Sequence, residues 1–98
     1  MNERLQKNAM QIDGAASDIA LKFIGFVASD EERLERFCAL SGMTEAELTS
    51  GLTEPVMQGF LLDYALSDES LLLAFAADHG LKPEAVVRAR QKLPGFSG

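Results

Sequence analysis

The chain contains one histidine, His79, and one cysteine, Cys38. His79 follows Asp78, and a carboxylate beside an imidazole can polarise it toward general-base work. That work also needs a serine or cysteine nucleophile at a partner position, and the sequence offers none. His79 falls near the end of a predicted helix, where a partly charged imidazole complements the helix dipole. Cys38 falls on the inward face of another predicted helix and reads as a small buried hydrophobe. The expectation is a protein that is not an enzyme.

Two acidic pairs, Asp30-Glu31 and Asp68-Glu69, have the chemistry of divalent-cation ligands. Both stand at predicted helix starts, where capping and the helix dipole already favour negative charge. No cluster of histidine or cysteine adds further ligands. Neither a metal nor any other cofactor is expected.

Cations concentrate at the other end. Lys82, Arg88, Arg90 and Lys92 occupy the last predicted helix, over 82–93, with Glu84 the lone acid among them. Residues 23–81 carry eleven acids against Arg33 and Arg36. An acidic body opposes broad nucleic-acid affinity, which rests on Lys and Arg displacing counterions. The spacing Cys38-x-x-x-Gly42-Met43-Thr44-x-x-x-Leu48 matches a helix-turn-helix, and Ala76-x-x-x-Gly80-Leu81-Lys82-x-x-x-Val86 matches it again. The first copy would present Glu45 and Glu47 to phosphates. Only the second offers a basic surface, so nucleic-acid binding through Lys82, Arg88, Arg90 and Lys92 stands as the alternative functional reading.

Two further features concern surfaces and pairing. Leu71-Leu72-Leu73 spans about 200° of a helix, so Leu71 or Leu73 must meet another helix or reach solvent. An exposed leucine there beside Phe26 or Tyr64 would make an apolar partner surface. Arg36 lies in acidic surroundings, and Asp63 is the lone charge in the most apolar segment. The two are expected to form a structural ion pair.

The elements that position these residues are helical. Leu and Ala dominate the apolar set, which favours helix over strand. Leu5, Ala9, Ile12, Ala16, Ile19, Phe23 and Val27 recur at steps of three or four, with the firm part of that helix beginning near Ala15. Ser29 with Glu32, and Thr44 with Glu47, have capping-box spacing. Gly42 and Gly80 suit the left-handed position that ends a helix. Pro55 opens a helix over 54–66 that is apolar nearly all round and therefore central. Gly59 inside it predicts a close crossing. Val86, Ala89 and Leu93 of the last helix should face inward, and Pro94-Gly95 should end it.

SDEERLERFCALSG at 29–42 and SDESLLLAFAADHG at 67–80 align without a gap at an offset of 38 residues. The shared letters are helix starts, core anchors and helix stops. The expected fold is all-α: a compact bundle of about five helices built from two similar helical units around the 54–66 helix. One domain spans 13–95, with an N-terminal extension over 1–12 open to fraying and a short tail over 96–98.

The chain has 98 residues and a formal net charge of −6. A single cysteine permits no intrachain disulfide and fits a reducing compartment. The N-terminus has no apolar signal region. The most apolar stretch, 56–77, is interrupted by Asp63, Asp68 and Glu69, short of the run of about 20 residues that spans a bilayer. A cytoplasmic protein without membrane association is expected.

From Ile19 to Gly95 the chain resembles a family of short bacterial proteins, largely alphaproteobacterial, classed as a domain of unknown function. The resemblance rests on Arg36-Phe37-x-x-Leu40-x-Gly42-Met43, Leu62-Asp63-Tyr64, Asp68-Glu69 followed by Phe75-Ala76, Gly80-Leu81-x-Pro83-Glu84, and Ala89 through Leu93-Pro94-Gly95. It implies a small all-helical cytoplasmic protein and supplies no catalytic or binding residues. The leading functional expectation is a small protein-interaction module, adaptor or regulatory in kind, with another protein or a second copy as its partner.

Overall fold

Six helices follow one another without an intervening strand in the computed structural model, which describes residues 2–95 and side chains from residue 15 onward. They are α1 (Asn2–Ala28), α2 (Glu31–Ser41), α3 (Glu45–Gly51), α4 (Pro55–Leu66), α5 (Glu69–Asp78) and α6 (Pro83–Gln91). The count exceeds the expected five because short α3 is a full element with its own cap. The side chains of the expected extension over 1–12 and the whole of the 96–98 tail lie outside the described residues.

Helix ends follow the local chemistry of the sequence, with one correction. Ser29 does not cap α2: its hydroxyl donates back to the Phe26 carbonyl at 2.7 Å and closes α1. Asp30 is the cap, its Oδ1 accepting from the amides of Glu32 and Arg33 at 2.9 and 3.2 Å. A carboxylate satisfies two orphan amides and adds charge at the positive end of the dipole. The second phrase behaves alike. Ser67 donates to the Tyr64 carbonyl at 2.7 Å, and Asp68 Oδ1 accepts from the Leu71 amide at 3.1 Å. The Thr44–Glu47 capping box forms in full.

Gly42 and Gly80 both take the left-handed conformation, with φ of 76° and 63°. Their turns nevertheless close differently. At Gly80 the Leu81 amide reaches the Ala76 carbonyl at 2.8 Å, the longer bond of a Schellman turn. At Gly42 the glycine amide bonds the Cys38 carbonyl at 2.9 Å, and the next amide, that of Met43, turns to the Ser41 hydroxyl.

The core gathers on α4. Leu61, Leu62 and Ala65 are buried there against Phe23 and Val27 of α1, Phe37 of α2, Phe75 of α5 and Val86 of α6. Aromatic edges knit the layers: Phe23 meets Phe75 at 5.3 Å, and Phe37 meets Tyr64 at 4.8 Å, both edge to face. Such pairs add about 0.5–1.5 kcal/mol each beyond simple burial. α1, α4 and α6 pack extensively on one another, whereas α3 is peripheral and sends chiefly Leu48 inward. The third helices of the two expected units therefore differ in role, one central and one marginal.

Candidate functional site

His79 ends α5 as its C-cap, half-buried, with its ring 4.9 Å from Phe75 and 6.2 Å from Phe26. Nε2 lies 3.6 Å from the Asp78 carboxylate. Its neighbours are thus rings and the end of a helix. Cys38 is partly buried and packs against the core. Both acidic pairs stand at helix N-termini, with Asp30 and Asp68 committed to backbone amides. Among the described residues, no three of His, Cys, Asp and Glu converge as a metal site.

The strongest polar construction is one the sequence reading misassigned. Asp63 pairs with Arg90, not with Arg36. Arg90 Nε donates to Asp63 Oδ1 at 2.6 Å and Nη2 to Oδ2 at 3.2 Å, a two-pronged contact. The remaining nitrogen, Nη1, donates to the carbonyls of Leu93 and Pro94, each at 3.1 Å. A planar guanidinium suits this fork, and a lysine could not reproduce it. Arg36 sits exposed on the outer side of α2, where Glu32, Arg33, Glu35, Arg36 and Ala39 line a shallow depression.

This geometry also explains Gly59. A Cβ there would stand 3.0 Å from the Pro94 carbonyl oxygen and 3.1 Å from Arg90 Nη1. The close approach predicted at Gly59 is therefore made by an arginine side chain and the turn after α6. The same burial removes Arg90 from the basic face: it is 4% exposed, leaving Lys82, Arg88 and Lys92 in solvent. Arg90 does not serve as a nucleic-acid contact in this arrangement, because its donors are spent on Asp63 and two carbonyls.

The expected apolar surface does not assemble either. Phe26 is buried at 7% exposure, and the Arg33 guanidinium lies 4.2 Å from its ring centre. Tyr64 is half-buried between Phe23 and Phe37. Leu71 packs partly against the core, and Leu73 alone of the four is widely exposed, at 50%.

An apolar strip lies elsewhere, on α4. Val56 is 70% exposed and Phe60 38%. Their four-residue spacing places them on one face of the helix. Phe60 sits at the α2 side of this strip, its ring 6.4 Å from that of Phe37. Gly59 and Asp63 bound its other side, beneath Arg90 and Pro94. The signal was present in the sequence: Asp63, seven residues after Val56 and three after Phe60, marks the solvent side of an otherwise apolar helix. Counting α4 as apolar all round concealed it.

Among the described residues, no helix is long and apolar enough to cross a membrane. Neither a curated protein nor a solved structure matches the chain. A family model does match, over residues 13–96, and it is described as a protein of unknown function, DUF3572. That match takes in the Asp63–Arg90 pair, Gly59 and the α4 strip, and the chain belongs to this family.

Proposed function

We propose that this protein is a small interaction module that binds another protein through the outer face of α4. The observation that carries this reading is the pair Val56 and Phe60. Both are large, apolar and exposed on the helix that otherwise forms the centre of the core. An apolar residue at 70% exposure contributes little to folding, so its cost in solvent is offset when a partner covers it. The i, i+4 spacing is that of anchors that meet an amphipathic helix laid alongside.

The test is a photoreactive amino acid installed at position 56, with a second variant carrying it at 73 as a reference. A discrete crosslinked protein from position 56, absent at 73, supports docking on α4. Equal or absent crosslinking at both positions contradicts it. Binding to nucleic acid through Lys82, Arg88 and Lys92 is the lesser reading, and a mobility-shift assay at low and high salt separates the two.

A further inference from the structure

We infer that Phe96 seats on the outer face of α4, in the notch beside Val56 and Phe60, and has to leave it before a partner helix binds; the second step rests on the docking role proposed above. Val56, Gly59, Phe60 and Asp63 stand at i, i+3, i+4 and i+7, the four corners of a hole that takes one side chain from a facing segment. The Gly59 corner is already closed. The Pro94 carbonyl oxygen lies 3.0 Å, and Arg90 Nη1 3.1 Å, from where a Gly59 Cβ would stand. Val56, Phe60 and Asp63 are exposed and leave the rest of the hole open.

Arg90 brings the chain to that hole. Its Nη1 holds the carbonyls of Leu93 and Pro94, and its Nη2 lies 3.4 Å from where a Gly95 Cβ would stand. Nη2 also donates to Asp63, one corner of the hole. Gly95 has a φ of 88°, so the backbone turns there instead of running on along α6. Phe96 comes next. One residue advances a chain by at most about 3.6 Å, and side chains at i, i+3 or i+4 on a helix stand about 5–6 Å apart. A phenyl ring one residue beyond Gly95 is therefore within reach of Val56 and Phe60. Residues 95–98 read Gly-Phe-Ser-Gly, in which Phe96 is the one large apolar side chain. Seating it there takes apolar area of all three residues out of water. A tethered ring also competes strongly with a separate ligand, because its effective concentration at the face is on the order of millimolar.

The experiment has two arms, both on isotopically labelled protein. The first looks for nuclear Overhauser contacts between the Phe96 ring protons and the Val56 methyls in the unbound protein. The expected result is a contact, with Val56 methyl shifts that change in Phe96→Ala. The second titrates wild type and Phe96→Ala with a synthetic amphipathic helix that carries a leucine face and an uncharged polar face. The variant should bind about three- to tenfold tighter, the scale of one lost aromatic contact. No contact, with Val56 shifts alike in wild type and variant, overturns the inference. A contact with equal peptide affinity in both forms overturns the competition between ring and partner. A contact with the peptide binding to neither form supports the seat of Phe96 and counts against helix docking on α4, so the two readings fail separately.

Discussion

Arg90 and Asp63, 27 residues apart, meet in a two-pronged ion pair that fastens the end of α6 to the middle of α4. The arginine is buried while half of the Asp63 side chain still faces solvent. Arg90 bonds Leu93 and Pro94 as well, so one side chain holds α4, α6 and the turn that follows. Removing either partner leaves the other without its match in a partly dry site, a loss of roughly 2–4 kcal/mol once the exposure of the carboxylate is allowed for. In a double-mutant cycle, Arg90→Ala and Asp63→Ala should therefore couple by roughly 1–3 kcal/mol. Arg36→Ala with Asp63→Ala should be additive. Chemical denaturation of the three single and two double variants and wild type reads both cycles.

Gly59 and Gly25 make opposite predictions from the same substitution. At Gly25, inside α1, nothing lies within 4 Å of an added Cβ. Gly25→Ala should stabilise by about 0.5–1 kcal/mol through helix propensity. Gly59→Ala must displace the Pro94 carbonyl and the Arg90 guanidinium, and a net loss of about 1–2 kcal/mol is expected despite the same propensity gain. Melting temperatures that move in opposite directions confirm the contrast.

The turn glycines should both resist replacement. Gly42 and Gly80 have positive φ with open space around the missing Cβ, so the penalty is backbone strain alone. Gly42→Ala and Gly80→Ala should each cost about 1 kcal/mol. Thermal unfolding of the two variants gives the answer, and unchanged midpoints would contradict it.

Phe37 and Phe75 are each fully buried and each sits in a cluster of rings. Truncation to alanine should cost about 3–5 kcal/mol at either position. Denaturant midpoints measure this, with a near-neutral result at one site showing that its ring is not a core anchor.

Much of the fold was legible because helix ends in this chain are written locally. Thr44 with Glu47, the glycines at 42 and 80, and the prolines at 55 and 83 act on their immediate neighbours, and the structure places helix boundaries at them. Even the misread cap moved by one residue only, since Ser29 and Asp30 compete for adjacent carbonyl and amide groups. Pairings across the bundle were not legible. Asp63 has arginines at 4, 33, 36, 88 and 90 to choose from in the sequence, and the crossing of α6 over α4 makes the choice. The outward-facing leucine and the inward-facing Phe26 were likewise decided by which helices are neighbours. The α4 strip was hidden for a different reason: composition rated the helix by its average, whereas exposure depends on the arc that Val56, Phe60 and Asp63 share.

The measurement that bears most directly on the docking role compares wild type with Val56→Gln for both stability and partner capture. Glutamine is a better helix former than valine, and the position is 70% exposed, so the melting temperature should be unchanged. Capture of the protein crosslinked from position 56 should fall sharply. Undiminished capture by a variant that folds as wild type would contradict a docking face on α4, and a marked loss of stability would instead place Val56 in the core.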